Sequence, residues 1–117
     1  MASRDVVRGF GFGRAAFGVA MLVAPRRLAT AWLGSSADIP ASSVMIRALA
    51  ARDLLLGMML VHVADNEDVA RRWTAACGAC DFVDGAATLA VHPPGAGRLV
   101  GPFALASAAA HAAVSRT

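Results

Sequence analysis

The chain has no lysine and no tyrosine, and only 16% of its 117 residues are charged, well below the ~25% of an ordinary soluble domain. Its eleven basic residues are therefore all arginines, set against eight acidic ones for a formal charge of +3. These arginines are scattered instead of being clustered with aromatics on one element, which excludes a nucleic-acid partner. An uninterrupted apolar run of the ~18 residues that marks a lone membrane helix is also missing. The longest stretch free of Asp, Glu and Arg is 99–115.

What remains is apolar: 57% of the residues are hydrophobic. Four helices of ~20 residues, the length that crosses ~30 Å of hydrocarbon, use most of the chain. The length allows one domain and not two. The organising stretch is 44–64, VMIRALAARDLLLGMMLVHVA, which is helical in character yet carries Arg47, Arg52 and Asp53. Alone in lipid, those charges cost up to roughly 6 to 9 kcal/mol, and its apolar side chains return only about 4 to 6. Other helices must supply partners for them.

The expected fold is all-α: one up-and-down four-helix transmembrane bundle over 1–117, with spans at about 8–24, 44–64, 70–91 and 99–114. A soluble Ala-rich helical bundle is the competing architecture. Against it, 54–64 has His62 as its one polar residue and 99–114 has only Ser107 and His111, whereas a surface helix needs a polar face.

Taken in order, the first span has a basic lead, an apolar middle and Ala29-Thr30-Ala31 after it, so it resembles a signal peptide. Arg14 in its middle argues instead for a retained helix. Starting near Arg4, such a helix reaches Val23 in ~30 Å, with Gly9-x-x-x-Gly13 as a face for close approach. The glycine run 9–13 lacks the spacing and preceding strand of a phosphate-binding turn. Pro25 ends the span. Residues 27–33 are amphipathic and expected along the bilayer surface, with Trp32 at headgroup depth.

Ser42 and Ser43 are placed to cap the second span, and Asp68 the third, starting at Val69. The acidic turn 65–68 lacks calcium-loop spacing. Arg71, Arg72 and Trp73 open the third span at a membrane boundary, and the Pro/Gly-rich stretch 92–97 stops it. The fourth span tolerates Pro102 in its first turn and is lined with Ala and Ser, which suit tight packing. Arg4, Arg8, Arg71, Arg72 and Arg116 outnumber Arg26, Arg27 and Arg98 on the other side, which places both termini in the cytoplasm.

The candidate site is the set of charges inside the spans. Arg14, Arg52, Asp53 and Asp81 fall near the midpoints of their helices, Arg47 and Asp84 toward the outer side, and Asp81 and Asp84 share a face. Arg14, Arg47 and Arg52 balance Asp53, Asp81 and Asp84, so the cluster can be neutral. Arg52 is expected against Asp81 or Asp84, with Arg14 or Arg47 completing the set. Intramembrane ionisable groups need partners or a water-filled cavity, so the cluster is either a helix-register lock or a polar site for a solute or proton.

Cys77-Gly78-Ala79-Cys80 puts two thiols on one helix face, but one to two turns inside the helix, away from the N-terminus where a dipole activates a thiol. Buried packing residues are the expectation, and two thiols alone make no zinc site. His62, His92 and His111 are too dispersed for a three-histidine metal site; a haem between His62 and His111 is a remote option.

Arg47 to Gly57, RALAARDLLLG, followed by Asp81-x-x-Asp84-Gly85, resembles small bacterial four-helix membrane proteins similar to the DoxX-like group. The resemblance covers about residues 44–90 and implies an integral membrane protein, with no defined activity. Some DoxX-like proteins are linked to quinone or sulfur redox chemistry. Two functions follow: a non-enzymatic bundle without a cofactor, acting as a partner subunit or small-solute carrier in the bilayer, with other membrane proteins or copies of itself as partners; or a membrane redox enzyme using the cysteine pair and a quinone.

Overall fold

The computed structural model describes residues 3–91, 93 and 95–117, apart from the side chains of Ser36 and Ala96. Among them the chain is all-helical, with no strand. Five α-helices occur: α1 (Arg4–Val23), α2 (Pro25–Leu33), α3 (Pro40–Val63), α4 (Glu67–Val91) and α5 (Val100–Arg116). Short 3₁₀ turns at Gly34–Asp38 and Gly95–Leu99 complete it. α1 and α4 are long and apolar enough to cross a membrane. α3 carries three charges, and α5 has only 17 residues.

Proline and glycine set the boundaries. Ala24 precedes Pro25, which disfavours helical backbone there; its φ of −128° and ψ of 57° end α1. Pro25 and Pro40 then start α2 and α3 at the position where a missing N–H costs nothing. Gly34 closes α2 with φ at 60°, a conformation favouring glycine.

Two expected caps are corrected. α3 begins at Pro40 with Ile39 in the cap position, ahead of Ser42 and Ser43. α4 begins at Glu67, and Asn66 Oδ1 accepts the Val69 N–H at 3.2 Å, so Asn66 and not Asp68 is the cap. The neighbouring Asp65 instead accepts from Arg8 at 2.7 Å and lies 3.6 Å from Arg4, tying the acidic turn to the start of α1.

α1 packs antiparallel along α3, and α4 antiparallel along α5. The α1 stripe facing inward is Val7, Gly11, Arg14, Gly18 and Met21, a spacing of four and three that keeps one face of a helix aligned. Gly11 meets Gly57 and Val61, and Gly18 meets Ala50 and Leu54; a Cβ on Gly57 would lie 2.5 Å from Gly11 O and Ala15 N. Close approach was expected at Gly9 and Gly13, but a Cβ at either would meet nothing within 4 Å. Gly11, two residues from each and so on the opposite side of the helix, makes the contact together with Gly18, because Arg14 fixes which face turns inward.

Apolar packing forms two clusters. Val7, Leu60, Ala64, Ala70 and Cys77 gather at one end, and Met21, Ala29, Ile46 and Ala50 at the other. Between them the buried layer is polar: Arg14, Asp53, Asp81 and His111. α2 belongs to the second cluster through Ala29, Leu28 and Trp32. Trp32, expected at headgroup depth, is half-buried and donates its indole N–H to Thr88 Oγ1 at 3.1 Å. Thr88 in turn donates to the Asp84 carbonyl.

Candidate functional site

Every inward position of α1 except one is small or apolar, so Arg14 enters the interior with no competitor from its own helix. Its guanidinium forks: Nη1 donates to Asp53 Oδ1 on α3 at 2.8 Å, and Nη2 to Asp81 Oδ2 on α4 at 2.6 Å. The three side chains are 7%, 9% and 11% exposed. Charge-assisted bonds of this length are the strong class of hydrogen bond, and burial removes the competing water.

A second arginine closes the layer. Arg52 grips Asp84 with Nη2 to Oδ2 at 2.5 Å and Nη1 to Oδ1 at 3.1 Å, and reaches Asp53 Oδ1 at 3.2 Å. From α5, the Ser107 hydroxyl donates to Asp81 Oδ2 at 2.6 Å. His111 Nδ1 lies 2.8 Å from the Ser107 carbonyl oxygen. That oxygen only accepts, so Nδ1 carries a proton, and Nε2 is buried with no partner among the described residues. Nδ1 is also 3.6 Å from Asp81 Oδ2, and Phe10 packs on the ring at a centroid distance of 4.6 Å. Arg14, Arg52, Asp53, Asp81 and Asp84 thus form one network over three helices, and Ser107 joins it from a fourth.

Arg47 is the exception among the residues expected in the cluster. It is exposed and donates to Ser43 Oγ, one turn back on its own helix, at 2.9 Å. Five residues separate it from Arg52, so the two point to different sides of α3. Ser107 and His111 were not expected as members. Their signal was present: they are the polar pair of an otherwise apolar helix, four apart, and so on one face.

Cys77 is fully buried in the first apolar cluster, Cys80 is half-buried, and both are free thiols. His62 is exposed on α3, whereas His111 is buried against Ser107 and Phe10. His92 lies outside the described residues. Among the described residues, no three His, Cys, Asp or Glu side chains are grouped to hold a metal ion.

The network is the floor of a cavity of about 690 Å³, open on one side. Its walls come from α1 (Phe10, Gly13, Phe17), α2 (Leu28, Trp32) and α5 (Val100, Phe103, Ser107); Arg14, Asp53, Asp81, Asp84 and His111 lie at its base. Neither cysteine lines it. This volume is that of a small-molecule site, and an apolar wall with a few convergent polar groups is the usual make-up of one.

No protein-family model, curated protein or solved structure matches the chain.

Proposed function

We propose that the protein is a multi-pass integral membrane protein, a four-helix bundle of α1, α3, α4 and α5 with both termini cytoplasmic, that binds a small amphiphilic solute in its central cavity. The observation that carries this is the inverted distribution of polarity. Large apolar side chains face outward on every long helix, among them Val23 at 79%, Leu55 at 65%, Val83 at 63% and Phe103 at 74% exposure, while Arg14, Asp53, Asp81 and His111 are buried. In water that arrangement leaves large apolar side chains exposed along every long helix, and exposed apolar surface of this kind marks a membrane or partner contact. In lipid it is the expected one, since polar groups at membrane depth face the bundle interior.

Dimensions agree. The longest extent is 43 Å, against ~40–45 Å for a bilayer with its headgroups. α3, too charged to cross alone, has Asp53 and Arg52 neutralised by α1 and α4. The cavity adds the solute: a charged base for a polar head and an aromatic wall for an apolar body. The same Arg52-Asp53-x-x-x-Gly57 stretch carries the DoxX-like resemblance, and we propose that kinship for the architecture alone.

Gly13→Leu tests the binding half of this proposal. Gly13 lines the cavity and a Cβ there meets nothing within 4 Å, so the larger side chain fills the space without moving the backbone. The variant is expected to remain in the membrane after alkaline washing and to unfold no earlier than the parent. It should bind a phenyl-bearing probe solute such as tetraphenylphosphonium at least about tenfold more weakly than the parent in lipid nanodiscs. Recovery of the parent protein as a monodisperse species without detergent would remove the membrane assignment. Undiminished probe binding by Gly13→Leu would remove the cavity as the site.

A further inference from the structure

We infer that the cavity accepts a lipophilic monocation, an amine or onium head carried on an aromatic or aliphatic body. This rests on the proposal that the cavity binds a solute and specifies the charge of that solute. With Arg47 outside the network, two guanidinium groups face three carboxylates, and His111 adds no charge while its ring is unprotonated at Nε2. The buried layer holds one negative charge in excess.

That excess has an address. Both arginine bonds to Asp53 end on Oδ1, and the bonds to Asp81 from Arg14 and Ser107 end on Oδ2. Asp53 Oδ2 and Asp81 Oδ1 therefore have no donor among the described residues. Neither oxygen is sealed, and both residues lie at the base of the cavity at 6% and 8% exposure. Arg14 Nε and Arg52 Nε, by contrast, are sealed within the protein and present no donor to a ligand. A solute entering the cavity meets acceptors at its base.

Its walls favour the same charge. Phe10, Phe17, Trp32 and Phe103 line the space, and aromatic faces attract cations, most strongly where water is excluded. An anion would be repelled by the excess carboxylate charge. When the cavity is empty, the excess charge at membrane depth is met by a proton, so cation and proton compete for one position. The groups that face it are Arg14 from α1, Arg52 and Asp53 from α3, Cys77, Asp81 and Asp84 from α4, and His111 from α5. The arginines stay charged, and protonation of the carboxylates or of His111 cancels the excess. Binding should therefore weaken as pH falls, by up to about tenfold per unit when one proton is displaced.

Three probes that share a phenyl body separate the charges: tetraphenylphosphonium, tetraphenylborate and neutral triphenylphosphine oxide. Each is equilibrated with the full chain in phosphatidylcholine nanodiscs, with empty nanodiscs subtracted. The phosphonium should bind at one per chain and at least about tenfold more tightly than the oxide, and the borate should not bind. Asp81→Asn should bring the phosphonium down to the level of the oxide. Should that variant not fold, the pH profile of the parent decides: phosphonium affinity falls between pH 8 and pH 5 while that of the oxide stays level. Tighter binding of the oxide or the borate, or a flat phosphonium profile, overturns the monocation and leaves the cavity as a solute site. If none of the three binds, the solute site itself is lost.

Discussion

Arg14→Met is expected to destabilise the protein by roughly 3–5 kcal/mol, the cost of leaving buried charge unpaired. Among the described residues Arg14 is the one arginine on Asp81, and it shares Asp53 with Arg52, so its loss leaves one carboxylate without its guanidinium and weakens the hold on a second. Adding Asp81→Asn to the same chain removes the stranded charge and should recover a large part of the loss, with a coupling of about 0.5–3 kcal/mol in a double-mutant cycle. Arg47→Met, which touches only Ser43, should stay within about 0.5 kcal/mol of the parent. Reversible unfolding in mixed micelles measures all four. Equal losses for Arg14→Met and Arg47→Met would show that the network does not hold the helices together.

Gly57→Ala should carry the second-largest penalty. The new methyl would sit 2.5 Å from Gly11 O and Ala15 N, and both are backbone atoms that move only if α1 and α3 separate. Overpacking costs typically ~1–3 kcal/mol, and this position belongs at or above the upper end. Gly13→Ala provides the contrast, because its methyl meets nothing within 4 Å and helix propensity alone should gain up to about 1 kcal/mol. The two alanine substitutions, alike in chemistry and different only in surroundings, are predicted to have opposite signs in the same unfolding assay. Two shifts of the same sign would contradict the helix contact.

How far this was legible in the sequence differs by level. Helical class and the breaks at Pro25 and the acidic turn were readable, because proline geometry and clustered turn residues act locally. Proximity of Arg14, Arg52, Asp53, Asp81 and Asp84 was also readable, from depth: charges at the middle of neighbouring helices have few other places to go. Rotation was not. A helix that is apolar all round has no polar face to show which side turns inward, so Gly9 and Gly13 looked as suited to contact as Gly11 and Gly18. The same blindness admitted Arg47 to the cluster and with it a false neutrality.

The residues missed, Ser107 and His111, sit on the helix with the least charge, where a search for ions has nothing to find. Their i, i+4 spacing was the available sign. The hydrogen bond of Trp32 was not legible for another reason: its partner Thr88 is far along the chain, and no local pattern announces a bond of that kind. The cap at Asn66 was lost to Asp68 by a shift of two residues, since three of the four side chains at 65–68 are equally able to cap.

The helices are joined unevenly. α1 lies along α3 and α4 along α5, while contact between the two pairs is sparser and includes both the ion-paired layer and the apolar cluster of Val7 and Leu60 with Ala70 and Cys77. Deformation concentrates where packing is thinnest, so the seam between the pairs is expected to yield before either pair does. α1 and α5, one from each pair, both line the cavity. Shear along that seam would therefore change the width of the cavity while leaving the glycine contact of α1 with α3 undisturbed.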